Sequence, residues 1–201
     1  NNREAIRKKV RSLRNAITGD QQQNYANSLV AIAANMERLK SAQRVAIYLT
    51  NDGELGTNQL INWCWQHNIK TALPLVHPFS KGNLLFVDYH DNSVLINNKY
   101  GIPEPILQKN DIVLLEEIDI VFTPLVAFDL LGARLGMGGG YYDRTLAAWF
   151  DAKKSGTTLP YSYPIGIAHD CQQVEQIDSQ DWDVPLPEII TPTQHHIFSS
   201  K

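Results

Sequence analysis

Four of the five residues from Gly136 to Gly140 are glycine, and they stand between an apolar, β-branched run at 119–128 and an amphipathic stretch beginning at Tyr141. A backbone without β-carbons takes positive φ freely and lets other atoms approach its N–H groups. Where a buried strand gives way to a helix, such a bend aims successive N–H groups, the helix's first donors and the positive end of its dipole at one point. The arrangement suits a phosphate group; it also suits a bare turn that packs strand closely on helix. Either way it demands a strand–loop–helix unit.

The rest of the chain has the same alternating character. Ile6, Val10, Leu13 and Ile17 recur at helical spacing among basic residues, which predicts a surface helix over 2–17 that Gly19 ends. Asp20 is then expected to cap a second helix with Tyr25, Leu29, Ile32, Met36 and Leu39 on one side. Residues 44–49 read as a strand, 51–54 as a turn, and 57–67 as a helix capped by Thr57. Strands follow at 70–76 and 84–89, joined through Pro78 and Gly82, and 98–105 reads as a proline-containing loop. Residues 119–124 form a buried-strand pattern continued by 125–128, and 141–150 a helix. A polar loop over 151–163, a strand at 165–168 and a last strand at 189–191 complete the reading. Strands alternating with helices predict an α/β fold, three layers α/β/α, with a mostly parallel sheet.

Length and composition narrow the classes further. At 201 residues, with 43% hydrophobic and 19% charged, the chain is expected to form one globular domain over 1–201. A net charge of −3 gives no general attraction to nucleic acid, so an anionic ligand needs locally gathered cations. Arg3, Arg7, Lys8, Lys9, Arg11 and Arg14 supply such a cluster. Two widely separated cysteines, Cys64 and Cys171, and no apolar run of membrane-spanning length lead to the expectation of a cytoplasmic, membrane-free protein.

Two established phosphate loops do not describe residues 134–143. A Walker loop ends in Gly-Lys-Ser/Thr, whereas this segment ends Gly-Gly-Tyr; the dinucleotide fingerprint needs glycine where Tyr141 stands and an acid about 20 residues onward. Other groups carry less chemistry. His169-Asp170-Cys171 lie on one extended segment and point to alternate sides, which opposes convergence on a substrate. His195-His196 read as a solvated tail, His77 is placed near the cleft, and of Trp63 and Trp65 one is expected in the core and one partly exposed.

The run Val126-Ala127-Phe128-Asp129, Gly132 and Arg134-Leu135-Gly136-Met137-Gly138-Gly139-Gly140-Tyr141-Tyr142-Asp143-Arg144 resembles the signature of the 5-formyltetrahydrofolate cyclo-ligases, also called 5,10-methenyltetrahydrofolate synthetases. The basic first helix, residues 47–54, the proline loop near Pro103 and Asp181 extend the resemblance over nearly the whole chain. The resemblance implies a fold like that of the sugar-phosphate isomerase and CoA-transferase group. It implies an enzyme that uses MgATP to close 5-formyltetrahydrofolate to 5,10-methenyltetrahydrofolate, releasing ADP and phosphate.

It also implies roles residue by residue. Arg3, Arg7 and the loop Arg134, Leu135, Gly136, Met137, Gly138, Gly139, Gly140, Tyr141 and Tyr142 would bind ATP, with Arg134 as a fixed catalytic cation. Leu49, Glu54, Tyr100 and Tyr142 would bind the folate, Glu54 near the reacting nitrogen, and Asp143 and Asp181 would hold Mg2+. Many relatives carry Lys where Gly139 stands and Arg or Phe where Met137 stands, a departure that leaves fewer cations at the phosphates. A monomer with ATP and 5-formyltetrahydrofolate as its partners, and no nucleic acid, is expected. Two other readings stay open on sequence grounds: a sugar-phosphate isomerase-like enzyme on the same fold, and a nucleotide- or RNA-binding module led by the first helix.

Overall fold

The computed structural model describes residues 2–99 and 101–198. Its helices are α1 (Asn2–Asn15), α2 (Gly19–Ala33), α3 (Glu37–Lys40), α4 (Asn58–Gln66) and α5 (Tyr141–Lys154). The strands are β1 (Arg44–Ala46), β2 (Lys70–Val76), β3 (Leu84–Tyr89), β4 (Leu95–Asn97), β5 (Pro103–Pro105), β6 (Ile112–Val113), β7 (Ile120–Thr123), β8 (Ala127–Phe128), β9 (Arg134–Leu135), β10 (Tyr163–Ile167), β11 (Glu188–Ile190) and β12 (His195–Ile197).

Eight strands form one sheet in the order β12-β11-β10-β7-β1-β2-β3-β6. From β11 to β2 every pairing is parallel, and both margins are antiparallel. The parallel centre is apolar on both faces, as a covered sheet must be. Side chains alternate across it: Val45, Ile120, Phe122, Ile165 and Ile167 join Leu29, Leu39, Leu60 and Cys64 from α2, α3 and α4. Their neighbours Ala46, Ala72, Val121 and Phe86 face Leu146 and Trp149 of α5. Helices therefore cover both faces, giving the three layers expected from the alternating pattern.

The chain runs outward from β1 through β2 and β3, then returns to the other side of β1 as β7. Open α/β sheets bind ligands at such a reversal, outside the carboxyl ends of the strands. Above that point, the β8–β9 hairpin packs Val126, Ala127 and Leu135 against Val10 of α1, so the basic helix is anchored at the ligand edge.

Several local expectations need correcting. Gly19 begins α2 instead of ending α1, and its cap is Thr18, not Asp20: Thr18 Oγ1 accepts from Gln21 N–H while Gln21 Oε1 accepts from Thr18 N–H. Met36 and Leu39 belong to the separate turn around α3. Thr57 takes the N-cap position of α4 as expected, but its side chain makes no capping bond, because its hydroxyl donates to Tyr48 O at 2.6 Å. Residues 98–105 are not all loop, since β5 pairs with β4. Helix α5 runs on to Lys154, four residues past its apolar stripe, with Lys153 and Lys154 favoured near its negative end. The strand at 189–191 is not the last: β12 adds an antiparallel margin, where His195 Nε2 lies 2.7 Å from Glu188 Oε1. Trp63 and Trp65 are both half-buried, Trp63 stacked on His67 and Trp65 donating to Thr71 Oγ1 at 2.9 Å.

Candidate active site

A cleft of about 550 Å3 opens at the carboxyl ends of β1 and β7. Its walls come from the segment after β1, the segment after β7, the glycine loop, the start of α5, the inner side of α1 and the β4–β5 hairpin.

At the phosphate end the loop 136–140 is a cradle of main-chain donors. The N–H groups of Met137, Gly138, Gly139 and Gly140 find no acceptor among the described residues. Gly138 requires its residue type, with φ of 106° and an added β-carbon lying 3.7 Å from Arg7 Nη2. Arg7 braces the loop by donating from Nε to Gly136 O at 2.8 Å, which leaves its guanidinium facing the bend. Arg3, one turn earlier, also lines the cleft and is bound to Asp183, Nη1 to Oδ2 at 2.7 Å, and to Asp178 O at 2.9 Å. Arg7, which also pairs through Nη1 with Glu4 Oε2 at 3.1 Å, is the cation of α1 that stands against the loop.

Arg134 and Asp143 occupy the floor as partners. Arg134 Nη2 donates to Asp143 Oδ1 at 2.9 Å and Nη1 to Pro124 O at 3.2 Å, while its buried Nε has no partner. Asp143 Oδ1 also accepts from Val184 N–H at 3.0 Å. The other carboxylate oxygen of Asp143 has no donor among the described residues and stands at the amino end of α5. No group of three or more His, Cys, Asp or Glu side chains converges among the described residues. That donor set fits Mg2+, which is commonly held by one or two carboxylates together with phosphate oxygens and water.

At the other end Leu49, Tyr48, Glu54 and Tyr142 line the wall, with Ile102 and Pro103 opposite. Glu54 is half-buried, and desolvation raises its carboxyl from the usual range to about 7 against the opposing effect of a hydrogen bond from Asn51 N–H to Oε1 at 3.0 Å. Burial likewise holds Tyr142 and Tyr48 well above the ordinary phenol range, so both are neutral hydroxyls.

The cleft thus gathers Arg3, Arg7, Leu49, Glu54, Arg134, Gly136, Met137, Gly138, Gly139, Gly140, Tyr141, Tyr142 and Asp143. Two expected site residues are not brought to its wall. Leu135 is fully buried against Val10, because strand alternation sends it to the side opposite Arg134. Asp181 is exposed, whereas its neighbours Trp182 and Asp183 line the cleft. Tyr100 lies outside the described residues. His77 turns back on its own loop, Nδ1 accepting from the N–H groups of Phe79 and Ser80. Missed by the sequence reading were Tyr48, Asp52, Pro124 and Arg14. Arg14 had a signal, since it follows Arg3, Arg7 and Arg11 on one helical face.

The sequence model of the 5-formyltetrahydrofolate cyclo-ligase family matches residues 1–192. The chain is 43% identical over 185 residues to the 5-formyltetrahydrofolate cyclo-ligase of Escherichia coli (strain K12), covering 92% of this chain and 97% of that protein. It is 43% identical over 188 residues to the cyclo-ligase of Haemophilus influenzae, covering 94% and 96%. Among solved structures it is similar to the NMR structure of Aquifex aeolicus 5,10-methenyltetrahydrofolate synthetase, with a TM-score of 0.80 and 25% identity, covering 99% of this chain and 94% of that one.

Proposed function

This chain belongs to the 5-formyltetrahydrofolate cyclo-ligase family, and from that premise we propose how its own residues carry out the reaction. The protein is an ATP-dependent cyclo-ligase that converts 5-formyltetrahydrofolate to 5,10-methenyltetrahydrofolate. The observation that carries the assignment of roles is the single cleft with a bare N–H cradle at one end and a carboxyl raised to about 7 at the other.

A formyl amide resists attack because its nitrogen donates into the carbonyl, and its oxygen is a poor leaving group. In the proposed route the formyl oxygen takes the γ-phosphoryl group and ADP departs; N10 then attacks the formyl carbon, and phosphate leaves with that oxygen. Such transfer depends on positioning and charge stabilisation more than on a protein nucleophile. The loop 136–140 and the first N–H groups of α5 hold the phosphates, Arg7 and Arg3 add positive charge, and Tyr141 and Tyr142 close the sides. Mg2+ would be held by Asp143 and, as the family resemblance implies, Asp181, and would neutralise charge on the phosphate oxygens. Arg134 keeps Asp143 in place. Leu49 and Tyr142 receive the pterin, and Glu54 accepts the N10 proton as the ring closes.

Residues 1–201 are inferred to act as one domain, because the two largest apolar clusters are built on the same eight-stranded sheet. No helix among the described residues is long and apolar enough to cross a membrane, and the free Cys64 and Cys171 are in keeping with the reducing compartment expected for the chain. The direct test adds 5-formyltetrahydrofolate and MgATP and follows absorbance of the methenyl product. Turnover that needs both is expected; ATP hydrolysis without methenyl product would overturn the reading.

Gly138→Val tests the cradle. A β-branched residue at φ of 106° is strained by about 1–3 kcal/mol. Gly138 is exposed, so the loop relieves that strain by moving. The expected result is an ATP KM raised by about 10-fold or more, the equivalent of that strain, with little change in melting temperature. An unchanged KM would remove the loop from the phosphate site.

A further inference from the structure

Glu54 sits on a turn that is held far more tightly than a surface loop requires. Asp52 and Gly53 both adopt left-handed backbone, with φ of 51° and 72°. An added β-carbon at Gly53 would lie 2.5 Å from Asn15 Oδ1, so the end of α1 is pressed onto the turn. Asp52 Oδ2 accepts from Arg14 Nη2 at 2.8 Å and Arg11 Nε at 2.7 Å, and Oδ1 from Asn15 Nδ2 at 3.3 Å. The Gly53 carbonyl accepts from Gln22 Nε2 at 3.1 Å and from His169 Nε2 at 3.2 Å. Burial lowers His169 to about 4, so the ring is neutral and its Nε2 carries the proton.

Arg14 is the unusual member. Its side chain is only 2% exposed, it lines the cleft, and its second nitrogen, Nη1, donates to Leu125 O at 3.4 Å in the segment after β7. Its buried Nε has no partner. A buried, incompletely satisfied guanidinium is costly unless it pairs, and Asp52 is its paired carboxylate. Arg3 and Arg7 on the same helix serve the opposite end of the cleft.

We propose that Arg14 and Asp52 are positioning residues for the cyclisation: the pair, buried on its Arg14 side, locks the left-handed turn so that Glu54 faces the folate end of the cleft. The proposal rests on the reading of Glu54 as the folate-side proton acceptor. Beyond desolvation and the Asn51 hydrogen bond, which act most on Glu54, Arg14 favours its ionised form and Asp52 opposes it. The other groups facing Glu54 are Tyr48 beyond β1 and Tyr142 of α5, both neutral, with Arg134 behind Tyr142. The two members of the pair therefore act on Glu54 with opposite sign.

The experiment measures kcat/KM for 5-formyltetrahydrofolate and for ATP across pH, in wild type, Arg14→Met, Arg14→Lys, Asp52→Asn and, as reference, Glu54→Gln. Arg14→Met is expected to lower kcat/KM for the folate by about 10- to 100-fold, the scale of a small misplacement of a reacting group. It should leave the ATP KM within about twofold, because Arg14 makes no part of the phosphate cradle. The midpoint of the pH limb should move up in Arg14→Met, stay near wild type in Arg14→Lys, and move down in Asp52→Asn. Should Arg14→Met fail to fold, Asp52→Asn carries the test, because Asp52 is near the surface and the substitution is isosteric. An ATP KM that rises as much as kcat/KM for the folate falls, or midpoints that do not move in opposite directions, would overturn the proposal. A pH limb that survives in Glu54→Gln would instead remove Glu54 as the proton acceptor, a separate failure that takes the proposal's premise with it.

Discussion

Glu54→Gln is expected to lower kcat by about 10²–10⁴-fold, the usual contribution of a positioned general base, and to abolish the rise of kcat/KM with pH. The sign follows from the environment of the carboxyl. Burial raises Glu54 to about 7, so below that pH it carries a proton and above it is ionised. Only the ionised form can take the proton released when N10 bonds to the formyl carbon. Activity on the folate should therefore climb as pH passes through about 7 and then level off. The same shift has a stability consequence of the opposite sense: a carboxyl raised in the folded state favours folding at acid pH, and this contribution is lost as pH rises through about 7. Catalysis and stability thus move against each other around one group. The pH–rate profile and a pH series of thermal unfolding, each with and without the substitution, separate them. A profile unchanged in Glu54→Gln would assign the proton to water or to the folate itself.

Much of this is legible in the amino-acid sequence. The glycine loop ahead of a helix, the buried-strand runs at 119–124 and 165–168, and the basic face of α1 each carry a local signal; α5, β7, β10 and α1 form there, although β10 begins earlier, at Tyr163, and 127–128 turn off into a separate hairpin instead of continuing β7. Failures occurred where a residue's role is decided by a distant partner. Thr57 reads as a cap, but its hydroxyl is taken by Tyr48 O. His195 reads as tail, but β11 offers a free edge and Glu188 a partner. Leu135 belongs to the signature, yet the β8–β9 hairpin turns its side chain toward Val10, a pairing that no local pattern announces. Arg14 and Asp52 are 38 residues apart, so their contact depends on how α1 lies on the sheet. The raised carboxyl of Glu54 likewise has no trace in the turn Asn51-Asp52-Gly53-Glu54, which by composition alone is a solvated bend.

Arg134→Ala should have the widest effect of any single substitution, because it acts on stability and on turnover together. The guanidinium is 4% exposed and its partner Asp143 14% exposed, so removing the cation leaves a buried carboxylate without its counter-charge. Breaking a buried pair in this way costs about 3–5 kcal/mol. Turnover should fall by about 10²–10³-fold, comparable to the loss of one preorganised electrostatic contact in a closed site. The two effects can be separated by also removing the stranded charge. In Arg134→Ala/Asp143→Ala the uncompensated carboxylate is gone, so part of the lost stability should return. Activity should not return, since Asp143 is the carboxylate proposed to hold the metal. Arg134→Lys keeps a positive charge but cannot bridge Asp143 and Pro124 O with one planar fork, so it should fall between wild type and alanine. Chemical denaturation and the methenyl assay on the three variants decide the matter. Equal stability in the single and double alanine variants would show that the pair is not what holds the floor of the cleft. Wild-type turnover in Arg134→Ala would place the phosphates elsewhere.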